Sequence, residues 1–497
     1  MSLHAELSPE ALARLHAQRR NSTISSVVIA VLVVVLIALI LGVFLLPTLV
    51  KETPTIVTYE SSLTEETQME ERKVQTSMDR KPSSPSSSMA KVITANTASP
   101  TAVPVPDVDI TTPSMDFGDG NDFGSGWGDG DGAGGGFGNV PATMKKRCSK
   151  ADRLGRLQET GGTPECEDAV VKALDWLKAT QSSDGSWTGG RQTAMTGLAL
   201  LAYLGHCETP VSEKYGDSVL RAITYLVNLG MRTKGKLTLN AADKQWCYEH
   251  AIATYALAEA STFCKQGNIN VPNLFEVTQM AGQFIIDNQH TKTGGWAYSY
   301  DTSDGGHRDL SISAWHIQAL KACHHTGLEF KGLTRALNKA TDYTSSLSCT
   351  DGGFAYQTPN ETPHAAGYRT LTGAGMLCLQ MGGKGSQADV RKAAKYIQEN
   401  SKFDYNTKYA DLYGHYYEVQ AMMNRGERDW KFYNDMFRDQ LLKNQNTDGS
   451  WKAPGGGQPL RAVGPEFVSN VHYRTCLNTL MLEVYYRFLP GTGAGVK

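Results

Sequence analysis

Apolar positions along the chain fall into two regimes. Val27 to Leu46 is an almost unbroken aliphatic run inside a segment, Asn21 to Val50, that carries no charged residue. About 20 such residues suffice to cross a bilayer core. A signal peptide has a shorter apolar stretch and a small-residue cleavage site, which Pro47-Thr48-Leu49-Val50 does not offer. The pattern predicts a transmembrane helix over 24–50. From Met144 onward apolar residues instead recur at helical spacing, and strand-type alternation is nearly absent. Two kinds of helix alternate there. Amphipathic stretches such as CEDAVVKALDWLKATQ are followed, after a Gly-rich turn, by more apolar ones with small residues, such as TAMTGLALLAYLGHC and DLSISAWHIQALKACHH. A one-faced helix beside an apolar one predicts an outer and an inner layer.

The turns repeat. QSSDGSW ends at Trp187, QHTKTGGW at Trp296, CTDGGF at Phe354 and QNTDGSW at Trp451, at intervals of 109, 58 and 97 residues. Two intervals are close to twice the third, which predicts degenerate copies near Lys236 and Phe403. Six copies of about 50 to 58 residues then fill the region. The expected fold class is all-α: an (α/α)6 toroid of six helical hairpins with parallel inner helices, preceded by one transmembrane helix and a disordered linker. Gln181, Gln289 and Gln445 are placed to bond orphan groups at helix ends. The rings of Trp187, Trp296, Phe354 and Trp451 are placed to cover the hairpin corners.

Charge sets the remaining organisation. Arg14, Arg19 and Arg20 precede the apolar span, while Lys51 and Glu52 after it cancel. The positive-inside rule puts residues 1–23 in the cytoplasm as a short tail and everything after Val50 outside, so the expected location is the cell membrane, single-pass. Residues 51–143 read as linker, first rich in Ser, Thr and Pro, then in Gly and Asp. A formal GxGxxG match from Gly130 to Gly135 follows no strand, so it predicts no nucleotide site. A net charge of −2 gives no reason to expect nucleic acid. Nine cysteines without a CxxC pair suggest neither a zinc ribbon nor a disulfide framework. Cys207, Cys264, Cys378 and Cys476 read as small core residues.

The Gln-x-x-Asp-Gly-Ser-Trp turns at 181–187 and 445–451 resemble the QW repeat of squalene and oxidosqualene cyclases. GGFAY at 352–356 is similar to the glycine-phenylalanine repeat of protein prenyltransferase β subunits. The resemblance spans roughly residues 165–489, within a domain bounded at 144–497, and implies the toroid those families share. It implies activity only residue by residue. The cyclases' DxDD acid motif corresponds to HRDLSISAW, where Asp309 keeps the catalytic position but Leu310 and His307 replace its neighbours. The transferases' zinc ligands correspond to Asp309, with Ser311 where a Cys belongs, and to DLYGHYY at 411–417, where His415 is displaced by one residue, about 100° of helix. No zinc and no other cofactor is expected, and no metal ligand is assigned. His250 matches a transferase histidine that helps bind diphosphate.

Six parallel inner helices aim six N-termini at one mouth, which favours anions. Candidate catalytic residues there are Asp309, His250 and His415. Candidate ligand contacts are Tyr248, Glu249, Arg308, Tyr368, Arg369, Asp411, Tyr413, His472, Arg474 and Trp315. Helix capping alone would also account for Asp309 and Asp411, and ring filling for the aromatics. Three functions stay open. The first is a module that binds a lipid or isoprenoid, an anionic ligand or a partner protein at the mouth. The second is an isoprenoid cyclase or transferase with Asp309 as acid. The third is a polysaccharide lyase or hydrolase on the same toroid.

Overall fold

The computed structural model describes residues 147–363, 367–458, 460 and 469–487. The tail 1–23, the span 24–50 and the linker 51–143 lie outside the described residues. No helix among the described residues is long and apolar enough to cross a membrane. Strand-type pairing among them is confined to isolated bridges, such as Gln445 with Trp451.

A leading helix, α1 (Lys150–Thr160), precedes six hairpins. They are α2 (Pro164–Thr180) with α3 (Gln192–Gly205), α4 (Gly216–Arg232) with α5 (Trp246–Gln266), and α6 (Leu274–Asp287) with α7 (Leu310–His325). Then come α8 (Leu333–Ser346) with α9 (Thr372–Met381), α10 (Ala388–Asn400) with α11 (Leu412–Arg425), and α12 (Glu427–Lys443) with α13 (Val471–Leu482). A single turn, α14 (Val484–Arg487), ends the described chain. The odd-numbered helices from α3 to α13 pack each on the next, and α13 packs back on α3. That closes the inner ring. The even-numbered helices lie outside it, α6 touching both α5 and α7, α8 both α7 and α9, and α12 packing back on α2.

Sequence explains the layering. Every residue of α9 is buried, whereas α10 buries only Val390, Ala393, Ala394, Tyr396 and Ile397, a stripe at helical spacing that leaves its charged residues in water.

The repeated turns staple the outer layer. Gln181 donates from Nε2 to Gly185 O in its own turn, at 2.9 Å, and to Ser218 O on α4, at 2.9 Å. Gln289 does the same to Gly294 O and to Ala336 O on α8, at 2.8 and 2.9 Å. Gln445 reaches Gly449 O and Ala169 O on α2, at 3.0 and 2.8 Å, and so ties the last hairpin to the first. Trp187, Trp296 and Trp451 are fully buried and donate from Nε1 to carbonyls of Leu177, Ile285 and Leu441. Phe354 fills the same corner without a polar bond. Only glycine fits beneath the next helix: Gly185 and Gly449 sit at φ +91° and +95°, and a Cβ there would lie 2.3 and 2.1 Å from the carbonyls of Arg221 and Lys172.

The degenerate copies fall where the spacing predicts them, Lys236 between α4 and α5 and Phe403 between α10 and α11. In the first, the buried Leu237 stands where the Trp belongs. Its N–H donates to His250 Nδ1 at 3.0 Å, as Trp187 N–H donates to Thr196 Oγ1. One expectation is corrected: Cys207 is not a free core thiol but is disulfide-bonded to Cys148. The bond ties the segment before α1 to the second residue after the end of α3. Cys264, Cys378 and Cys476 are free and buried.

Candidate ligand chamber

The first turns of the inner helices surround a cavity of about 440 Å³ at one end of the ring. Helix α5 contributes Tyr248 and Ile252, α7 Ser311 and Trp315, α11 Tyr413, and α13 Tyr473. Ala194 and Met195 come from α3, while Tyr368, Arg369 and Thr370 lead into α9. Two long turns reach over the mouth and add Tyr298 before α7 and Phe354, Tyr356 and Glu361 before α9. Aromatic rings dominate the wall, and Trp315 stacks on Tyr416, centroids 5.3 Å apart, as its floor.

The wall's charges are already matched. Arg191 Nη1 lies 2.8 Å from Asp243 Oδ2, and Arg369 Nε lies 2.7 Å from Asp351 Oδ2. Glu361 is the one carboxylate among the lining residues. Its oxygens accept from the N–H groups of Tyr356, Gln357 and Thr358.

Asp309 does not line the chamber. It is fully buried and caps α7, Oδ1 accepting from Ile312 N at 3.0 Å and from Ser311 Oγ at 2.6 Å. A hydrogen-bonded circuit starts there. Ser311 Oγ and Tyr248 OH are 2.7 Å apart, Tyr248 OH and Tyr298 OH 3.4 Å, and Tyr298 OH and Tyr356 OH 3.4 Å. Tyr356 OH meets His307 Nε2 at 3.1 Å, and the same nitrogen is 3.4 Å from Asp309 Oδ2. The bond to Asp309 holds His307 above the usual imidazole range. Burial, with Asp309 beside them, pushes Tyr248, Tyr298 and Tyr356 up, so their hydroxyls stay protonated.

Other expected site residues are engaged elsewhere. His250 is buried, its Nδ1 accepting from Leu237 N and its Nε2 at 3.1 Å from Ala281 O. Burial pushes it down to about 3, so it stays neutral. His415 turns away from the ring axis to Tyr433 OH on α12, at 2.6 Å, and to Tyr409 O, at 3.0 Å. Arg308 donates to the carbonyls of Ser303, Asp304 and Gly306 in its own loop. Arg474 Nε donates to Trp451 O at 2.6 Å, and His472 packs on Trp176. Asp411 is buried at the start of α11 and is pushed up to about 6 by burial. None of these lines the chamber. Tyr248, Tyr368, Arg369, Tyr413 and Trp315 do, and Glu249 lines an adjoining cavity. Among the described residues no group of three or more His, Cys, Asp or Glu stands close enough to hold a metal ion.

Fold and chamber together define an all-α toroid with an aromatic cavity at the mouth formed by its inner-helix N-termini. No family model matches the chain, and no curated protein sequence does. Among solved structures the chain is similar to the type II terpene cyclase MstE from Scytonema, at 11% identity and a TM-score of 0.42 over 65% of this chain and 99% of that one. It is also similar to the GH76A α-1,6-mannanase of Salegentibacter sp. HEL1_6, at 10% identity and a TM-score of 0.47 over 65% and 98%. At these scores the likenesses carry no activity to this chain, and the fold rests on the helix contacts described above.

Proposed function

We propose that the toroid is a binding module that captures an apolar, isoprenoid-type ligand in the aromatic chamber. The observation that carries this reading is the wall itself. Its volume suits one small molecule, its rings offer faces to an unsaturated chain, and its arginines are matched by carboxylates. That charge balance argues against an anionic ligand. Glu361, the one carboxylate of the chamber wall, is taken up by three backbone N–H groups, and the neighbouring Asp243 and Glu249 both bind Arg191, which leaves the glycan-cleaving reading without a free acid and base. The apolar segment 24–50 and the Cys148–Cys207 disulfide, a feature of oxidising compartments, support a domain held on the outer side of a membrane.

A second reading is favoured by one feature, the circuit joining Asp309 through Ser311 to Tyr248. With a proton on Asp309, passed to it from His307, a shift along the circuit from Asp309 to Ser311, Ser311 to Tyr248 and Tyr248 to an alkene would leave a carbocation in the chamber and a carboxylate at Asp309, although Asp309 itself is sealed from the chamber. Incubation of the full chain with farnesol, followed by native mass spectrometry and product extraction, separates the two. Farnesol retained and recovered unchanged supports the binding module. A cyclised product whose formation is lost in S311A replaces it with the acid-initiated enzyme, and no retention at all rejects both.

A further inference from the structure

A second cavity, of about 410 Å³, adjoins the chamber. Arg191, Met195 and Gln245 line both, so the two spaces meet at these side chains. Apart from Leu239, the new walls are polar, formed by Gln192, Asn240, Asp243, Glu249 and Asn470 with the backbone of Gly189 and Gly190. We propose that the two cavities form one bipartite site for an amphiphile with an uncharged polyhydroxyl head, a glycosylated long-chain alcohol, whose chain lies in the aromatic chamber and whose head lies on the polar shelf. This rests on the chamber reading above and adds the head.

Charge selects the head. Arg191 is the cation of the shelf, and two carboxylates share it. Its Nη1 is 2.8 Å from Asp243 Oδ2 and 3.4 Å from Glu249 Oε1, while its Nη2 donates to Gln245 Oε1 at 2.7 Å. An anionic head would therefore meet carboxylate rather than free guanidinium. A cation gains little either, because burial holds Glu249 above the usual carboxylate range, towards its neutral form, against the pull of Arg191. What remains is a dense set of planar donors and acceptors, which suits hydroxyl groups that both give and take hydrogen bonds. The floor is also open at one point. A Cβ built on Gly190 would meet one atom within 4 Å, Asn470 Nδ2 at 3.8 Å, whereas at Gly189 the Asn470 side chain already fills the space, with Oδ1 3.0 Å from such a Cβ.

Calorimetric titration of the full chain, held in amphipol free of detergent, with sub-micellar octyl β-glucoside, 1-octanol and octyl phosphate tests the head separately from the chain. The glucoside should bind about tenfold tighter than octanol, equivalent to about 1.4 kcal/mol. D243N and E249Q should each shrink that advantage to about threefold or less, and in E249Q, which leaves the Arg191–Asp243 pair in place, octanol should bind as before and so report that the fold is intact. D243N should in addition strengthen octyl phosphate binding, because Arg191 loses its closest carboxylate. A glucoside no tighter than octanol, a phosphate that binds tightest to the unaltered chain, or variants that leave the glucoside advantage intact would overturn the polyhydroxyl head and leave the chamber standing. Failure of all three ligands to bind would overturn the chamber reading as well.

Discussion

The two ends of the inner ring solve opposite problems. At the mouth, tyrosines and Trp315 enclose space, and charge is kept to matched pairs at the rim. Towards the other end, the space is filled by ions. Glu259 on α5 takes Arg147 Nη2 at 2.7 Å and Arg487 Nη2 at 2.6 Å, all three buried. Arg487 also donates to Tyr255 OH at 3.1 Å, and Arg147 neighbours the disulfide at Cys148. Residues from both ends of the described chain thus converge on one carboxylate and close that end. Burial raises Glu259, but Arg487 and Arg147 outweigh it and leave it below the usual carboxylate range. One end is built to hold itself shut and the other to stay open.

The largest effect should come from the closed end. E259Q removes the carboxylate that both buried guanidinium groups share, leaving Arg487 with Glu483 at 4.0 Å, and should cost about 3–5 kcal/mol in denaturant unfolding. A loss below about 1 kcal/mol would show that water reaches this end. W451A comes next, at about 3–5 kcal/mol for a buried aromatic truncated to alanine. It removes a fully buried ring and its bond to Leu441 O from the hairpin beside the Gln445 staple. An unchanged melting temperature would mean that the corner repacks.

A smaller effect separates the ends by pH. Asp411, on the mouth side, is pushed from 3.8 up to about 6 by burial. A raised carboxyl contributes most to stability while protonated, and the contribution is lost as pH climbs from the unfolded value through about 6. D411N should therefore gain about 2–3 kcal/mol at pH 8 and nothing at pH 4. An equal gain at both would trace the effect to hydrogen bonding rather than charge. The smallest effect is at His206. Burial lowers it, but Glu167 and Glu208 on its two ring nitrogens outweigh that and hold it above its ordinary value. Its contribution is complete below the unfolded value and lost as pH rises through the folded one, so H206Q should cost more at pH 5 than at pH 8. The mouth-side His250 and His316, pushed down to about 3 and about 4 by burial, act the other way and weaken the fold as pH drops below about 6.5.

Much of this was legible in the chain. Gln181, Gln289 and Gln445 do the same work at the same end because a repeat that stacks must reuse its contacts, and even the copy lacking a Trp kept its place through Leu237 and His250. Tyr248, Tyr413 and Trp315 reach the chamber because they stand in the first two turns of inner helices, where helical spacing aims them. Tyr298, Tyr356, Arg191 and Glu361 could not be placed that way. They enter from irregular turns, and periodicity says nothing about where a loop folds back. The signal that could have found two of them is local: aromatics inside otherwise polar turns, in GGWAYSYDTSDGG and GGFAYQ. His250 misled because its two ring nitrogens are taken by Leu237 N and Ala281 O, while His415 turns away as its displacement by one residue, about 100° of helix, implies. The Cys148–Cys207 bond was hidden because pairing cannot be deduced from spacing alone.

Photo-crosslinking of the full chain with a diazirine-bearing farnesol analogue, followed by peptide mapping, tests the chamber most directly. Adducts are expected on the first turns of the inner helices, within residues 246–252, 311–315 and 411–417, and should be competed away by unlabelled farnesol. Adducts confined to the outer helices or to residues 24–50, or adducts that farnesol fails to displace, would contradict a ligand chamber at the mouth.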